Sequence, residues 1–281
     1  MVNQANPLAK HFRQPALYLS LPSRGVFYPE GTVELSATGT IPVYPMTVKD
    51  ELALKTPDAL LNGQAVIDVI RSCCPGIKDP WEIPAVDLDP IFIAIRLASY
   101  GKVMDFSATC THCKTESDYS IDLNMVLDSV GKADYNRPFT FDNLVFKFKP
   151  QKYRNINKMG MITFEQDKLI QNVVKNETLS EEQKMLEFKK GFEKIRQLNI
   201  DTVVDSIASV TTEEGVVVTD PAMIAEFLDS CSRQIYESIK SSVQELTDTF
   251  KIQPLQLKCD NEECQKQFST ELTFDHSNFF G

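Results

Sequence analysis

Asp105-Phe-Ser-Ala-Thr-Cys110-Thr-His-Cys113 and Leu255-Gln-Leu-Lys-Cys259-Asp-Asn-Glu-Glu-Cys264 are the two stretches on which the reading of this chain turns. Each carries an apolar position four residues before its first cysteine, Phe106 in one and Leu255 in the other, and each is followed by an alternating run. Superposed on the inner cysteines, Ile121 falls on Leu272 and Leu123 on Phe274. A short strand, a turn with two thiols and a second alternating strand make one half of a zinc ribbon. Four thiolates in two close pairs satisfy a tetrahedral structural Zn2+. The expected metal ligands are therefore Cys110, Cys113, Cys259 and Cys264. His112 lies within the first turn, where its side chain is expected to point away from an ion held by its neighbours. The second turn is two residues longer, which suggests a looser loop at Asp260 to Glu263.

Two other readings of the cysteines are weaker. A Cys-x-x-Cys redox motif needs a helix N-terminus beside the first thiol, yet Lys114-Thr-Glu-Ser-Asp-Tyr-Ser-Ile-Asp-Leu123 alternates as a strand does. A disulfide framework sits poorly with seven cysteines and the lack of a charged-then-apolar leader pattern. A reduced, cytoplasmic setting is expected. The sequence has 281 residues, 42% of them hydrophobic, enough for one large or two modest cores. No apolar run approaches the roughly 20 residues of a membrane span. A formal charge of −10 disfavours nucleic acid unless a basic patch overrides it. The one cluster of that kind, Lys147, Lys149, Lys152 and Arg154, reads as a solvated strand end.

The expected class is α+β: a mainly helical body with short N-terminal strands, and a split four-cysteine ribbon closing a long helical insertion. Residues 1–16 are expected to be a flexible arm, 17–104 a strand-and-helix region, 105–124 with 255–281 the ribbon halves, and 125–254 the insertion. Strands are expected from Ala16, at Val33–Leu35 and at Ile41–Tyr44. Helix-start chemistry at Thr47/Asp50, Thr56-Pro57 and Asp89-Pro90 predicts helices near 48–55, 57–73 and 89–100. Their buried residues are expected to be Leu60, Val66, Ile67 and Ile70, then Ile91, Ile95 and Leu97. Cys73 and Cys74 read as semi-buried small residues, and Trp81 as a cap on the helices.

Within the insertion, Phe139–Phe141 and Leu144–Lys149 joined at Asp142-Asn143 predict a β-hairpin. One helix is expected over Phe164–Lys175. A second starts at the Ser180/Gln183 capping box, and a third holds Val203, Ile207 and Val210. The last begins at Asp220-Pro221 and carries Ile224, Leu228, Cys231, Ile235, Ile239, Leu246 and Phe250. Unbroken, its about 30 residues would run about 45 Å.

Catalytic signatures are not legible. Three histidines, at 11, 112 and 276, stand far apart in sequence, and eleven scattered glycines form no phosphate-cradling loop. A four-cysteine site also has no open position for chemistry, so a non-enzyme with a structural Zn2+ is expected.

Leu21-Pro-Ser-Arg-Gly-Val-Phe-Tyr-Pro29, Ile41-Pro-Val-Tyr-Pro-Met-Thr-Val-Lys-Asp-Glu51, Thr56-Pro-Asp-Ala-Leu-Leu-Asn-Gly63, Asp89-Pro-Ile-Phe-Ile-Ala-Ile-Arg-Leu-Ala-Ser-Tyr-Gly101, the Cys110 turn and the ending Phe274-Asp-His-Ser-Asn-Phe-Phe280 together are distinctive. This combination resembles the T4-like bacteriophage baseplate proteins, specifically their hub assembly group. The resemblance covers residues 17–125 and 255–280, with nothing specific across the insertion. It implies a late phage protein of contractile-tail assembly, a chaperone or component of the baseplate hub. The implied partners are hub and tape-measure proteins in the host cytoplasm, or a place in the virion. Apolar residues expected to contact a partner are Phe27, Tyr28, Phe279 and Phe280, besides the last helix. A ribbon protein that processes nucleic acid is the rival reading, opposed by Glu116, Asp118, Asp122, Asp260, Glu262, Glu263 and Glu271 around the turns.

Overall fold

A computed structural model describes residues 7, 8, 11–56, 63–131, 134–175 and 180–272. Leu60, Phe274, His276, Phe279 and Phe280 lie outside the described residues. The chain is α+β and divides into two compact units. One comprises residues 1–80, 87–131 and 252–281; the other comprises 81–86 and 132–251.

In the first unit, β1 (Leu17–Ser20) pairs antiparallel with β2 (Thr40–Val43), Leu17 facing Val43 and Ser20 facing Thr40. The stretch Val33–Leu35, expected as a strand, is a single bridge between Val33 and Ile77. Its partner is the turn after a helix, which offers one extended residue and not a ladder. That turn comes so close that a Cβ on Gly76 would lie 2.9 Å from the Glu34 carbonyl oxygen, and only glycine fits. Arg13 anchors the chain ahead of β1: its guanidinium donates to the carbonyls of Pro45 and Ser72 and lies 3.6 Å from Asp50. Helix α1 (Val48–Leu54) starts with the expected capping box of Thr47 and Asp50. Helix α2 (Gln64–Cys73) buries Val66, Ile67 and Ile70 as expected, and Cys73 and Cys74 are fully and not partly buried.

Helix α3 runs from Ala85 to Tyr100, four residues earlier than Asp89-Pro90 suggested, with Pro90 inside it. The missing Pro90 N–H leaves the Val86 carbonyl without its helical partner, while apolar packing along the helix favours continuation. Ile91, Phe92, Ile93, Ala94 and Ile95 are buried in succession, so the helix is enclosed all round; Leu97 is only half-buried. After it come β3 (Val103–Thr109), β4 (Glu116–Asp122) and α4 (Leu123–Ser129), the last capped by Asp122.

The second unit is built on a four-stranded sheet in the order β5-β6-β7-β8. Strands β5 (Phe139–Phe141) and β6 (Leu144–Phe148) form the expected hairpin, with Asp142 and Asn143 both at positive φ (46° and 63°), as a type I′ turn requires. Helix α5 spans Tyr153–Lys175, starting well before Phe164, and α6 (Glu181–Ser206) opens on the Ser180/Gln183 capping box. The expected third helix does not exist. Val203 lies in the last turn of α6, whereas Ile207–Thr211 is strand β7, with Val210 facing Phe146 and Thr211 facing Val145. The spacing of 203, 207 and 210 suits a helix, but the β-branched run pairs with the open edge of β6 and continues through Gly215 (φ 82°) into β8 (Val217–Val218). Phe146 is fully buried at the centre, its ring 6.2 Å from that of Phe227.

The long last helix is two. Helix α7 (Pro221–Ser230) ends where Cys231 and Ser232 turn extended, and α8 (Arg233–Phe250) restarts with Ser232 Oγ accepting from the Ile235 N–H at 3.3 Å. At the usual rise the pieces measure about 15 and 27 Å. Ser232→Ala should destabilise the protein by about 1 kcal/mol through loss of this cap, read as a lowered midpoint in chemical unfolding; an unchanged midpoint would deny the cap its role. Two residues of the basic cluster are engaged in ion pairs. Lys152 and Arg154 both grip Glu82, and Trp81 stacks on Tyr153 with ring centroids 5.5 Å apart. Among the described residues, no helix is long and apolar enough to cross a membrane.

Candidate metal centre

Two strand pairs carry the cysteines, both in the first unit. In the first, Phe106 faces Tyr119 and Thr109 faces Glu116; in the second, formed by β9 (Leu255–Lys258) and β10 (Gln267–Thr270), Leu255 faces Thr270 and Lys258 faces Gln267. Counted from the cysteines these are the same positions, so the halves share one register and differ only inside the turn. Each turn closes on a left-handed residue just after its inner cysteine, Lys114 (φ 63°) and Gln265 (φ 46°). The closing hydrogen bonds match too: Lys114 N–H to Cys110 O at 3.0 Å, and Gln265 N–H to Asn261 O at 3.0 Å. In the longer turn Asn261, two residues beyond Cys259, takes the backbone part that Cys110 plays in the shorter. That turn is not loose, because Asn261 Oδ1 also accepts from the Glu263 N–H at 3.0 Å.

The four Sγ atoms all lie within 4.8 Å of one another, with Cys113 and Cys259 at 3.5 Å. A tetrahedral ion with metal–sulfur bonds of about 2.3 Å calls for sulfur separations of about 3.8 Å. The donor set fits such an ion in number, softness and spacing. Cys110 and Cys259 are buried, Cys113 and Cys264 half-buried, and a small apolar cluster of Ala108 and Phe268, flanked by Phe106, Tyr119 and Leu257, backs them. Tyr119 meets Phe268 edge-on at 6.0 Å.

Electrostatics within the cluster are uneven. Hydrogen bonds from the Thr115 hydroxyl and backbone N–H hold the Cys113 thiol down at about 6, whereas burial pushes Cys259 up to about 12. Four thiolates this close repel one another, and a divalent cation is what would let all four ionise. All seven cysteines are free thiols.

His112 is not in the cluster; its Nε2 lies 3.2 Å from the Gln267 carbonyl oxygen of the other half. No helix follows Cys113, which removes the support a redox motif would need. The carboxylates flanking the turns are mostly exposed, leaving an acidic surface around the ribbon. Of the expected contact residues, Tyr28 is buried and so belongs to the core, Phe27 is half-buried, and Val26 beside them is 73% exposed.

Sequence reasoning missed two groups. Thr115 and Asn261 meet across the halves, Asn261 Nδ2 donating to Thr115 Oγ1 at 3.1 Å; neither residue type signals this in a turn. Asp87 is fully buried and accepts from Ser23 N–H at 2.8 Å and Ser23 Oγ at 2.5 Å. An acid set between Val86 and Leu88 was a legible sign of it.

No curated protein and no solved structure matches the chain. The family model described as T4 bacteriophage base plate protein matches residues 28–281, nearly its whole length. With that match added to the motifs from Ile41 to Cys113, the chain belongs to the T4 bacteriophage base plate protein family.

Proposed function

We propose that this baseplate protein is a non-enzymatic assembly factor of the tail hub, a chaperone or hub component, whose ribbon is closed by a structural Zn2+. The observation that carries the reading is the family match over residues 28–281, which includes all four clustered cysteines. Zinc is supported by the donor set: four thiols, no carboxylate or water needed, and a spacing suited to a tetrahedral ion. A site filled by four protein ligands keeps no open position, which supports a folding role over activation of water. The proposed partners are hub and tape-measure proteins, met in the host cytoplasm. The exposed Val26 beside Phe27 and the segment holding Phe279 and Phe280 are the proposed contacts.

Co-expression with the phage tail proteins, followed by purification and metal analysis, tests both parts. The expected result is co-purification with a hub or tape-measure protein and about one zinc per chain. Zinc without a tail partner would sink the assembly reading; a tail partner without zinc would sink the metal. The family's description as a base plate protein favours a second reading, a subunit retained in the plate. Mass spectrometry of purified virions separates the two.

A further inference from the structure

We propose that Asn261 and Thr115, one from each half of the ribbon, form a directed hydrogen-bond chain that positions the Cys113 thiolate and joins the two halves at the metal. The proposal rests on the zinc reading above. Its warrant is that ionisation of Cys113 at a metal leaves the chain one consistent direction. Asn261 Oδ1 accepts from the Glu263 N–H at 3.0 Å, which fixes the amide and leaves Nδ2 facing Thr115. Thr115 Oγ1 receives that N–H at 3.1 Å and lies 3.3 Å from Cys113 Sγ, a contact in which the neutral thiol donates to the hydroxyl oxygen. When Cys113 is a thiolate it can only accept, and the Thr115 hydroxyl must be the donor.

The placement matters because Cys113 is the sulfur that lies 3.5 Å from Cys259, in the opposite half. Four thiolates around a divalent ion leave a net charge of −2 on a surface already acidic, and each donor aimed at a sulfur offsets part of it. The His112 N–H does this for Cys110 Sγ at 3.4 Å. At Cys113 a side-chain hydroxyl is aimed as well, and its aim is set by a residue from the other half of the ribbon. Asn261 is thus a positioning residue that acts through Thr115. Outer partners of this kind typically change metal affinity on the order of 10- to 100-fold.

The test is Asn261→Asp. A carboxylate keeps the acceptor for the Glu263 N–H but cannot donate to Thr115, so the hydroxyl turns from sulfur to the new oxygen. Zinc release from the full-length protein to a chromogenic chelator is measured for Asn261→Asp, Thr115→Val and the double variant, with circular dichroism confirming that each is folded. Ser120→Ala, which removes a hydroxyl bonded to Asp105 on the neighbouring strand, is the control. The expected result is release faster by on the order of 10- to 100-fold in both single variants, no further gain in the double, and wild-type behaviour in the control. If Asn261 merely shapes its turn, Asn261→Asp releases zinc as the wild type does, and that result overturns the proposal. Multiplying effects in the double variant overturn it as well. A wild-type protein that takes up no zinc fails at the metal reading itself, before any variant is compared.

Discussion

Cys264→Ser is expected to abolish the proposed zinc binding and unpair the short half of the ribbon. β9 and β10 share only four residue pairs, Leu255–Lys258 against Gln267–Thr270. Behind them stand four buried residues, Ala108, Cys110, Cys259 and Phe268, two of which are themselves proposed ligands. So small a cluster cannot hold an isolated two-stranded hairpin, which is marginal in water. Zinc binding to four cysteines, on the order of 10 kcal/mol in small zinc domains, is the one contribution here large enough to do so. Cys264 is half-buried, so a serine there disturbs packing less than at Cys110 or Cys259. Hydrogen exchange should show the amides of Leu255–Lys258 and Gln267–Thr270 losing protection, while those of β5, β6 and β7 keep theirs. A chelator added to the wild-type protein should give the same pattern. Retention of the full zinc content with unchanged exchange would end the assignment.

The ribbon was legible because its signals are local and redundant. Two thiol pairs at turn spacing, with alternating strands beside them, specify one half each. Asp142-Asn143 and the capping boxes at Thr47 and Ser180 were legible for the same reason, since each needs only neighbours in sequence. What escaped depends on residues far along the chain. Ile207 and Val210 suit either a helix or a strand, and the open edge of β6 decides it. Ser232 is a cap in plain view, but an apolar stripe running through Cys231 conceals the break. Pro90 marks a helix start by local rules, yet buried neighbours from Ile91 to Ile95 carry the helix past it. At the site, the four clustered cysteines were legible and the residues behind them were not. Asn261 finds Thr115 only because the two halves meet.

The pH dependence of stability should change when Asp87 is replaced by asparagine. Asp87 is fully buried, and burial raises its carboxyl to about 6 despite two hydrogen bonds from Ser23 and the proximity of the Tyr28 hydroxyl, all of which favour the ionised form. Tyr28 in turn is pushed well above its ordinary value by burial and by the Asp87 charge. The unfolded carboxyl titrates near 3.9, so between about pH 4 and 6 the folded state binds more protons than the unfolded state does. The sign follows: this group's contribution falls as pH rises through that window, by about 3 kcal/mol for a shift of about two units, and is level on either side. Carboxylates held low by ion pairs, such as Glu34 beside Lys78, slope the other way, so the useful quantity is the difference between variant and wild type. The side-chain amide of the variant can still accept from the Ser23 N–H and donate to the Ser23 hydroxyl, and any mismatch it introduces does not depend on pH. Denaturant unfolding from pH 4 to 7 should therefore show the difference moving in favour of Asp87→Asn by about 3 kcal/mol. A difference that stays constant across this range would mean that Asp87 is not a strained buried acid. The result bears on the motif from Leu21 to Tyr28, where Arg24 and Gly25 both sit at positive φ (52° and 79°) in the turn between Ser23 and Tyr28. There the buried carboxylate accepts from Ser23 N–H and Ser23 Oγ at once, beside the buried Tyr28 hydroxyl, and so fastens that turn onto α3.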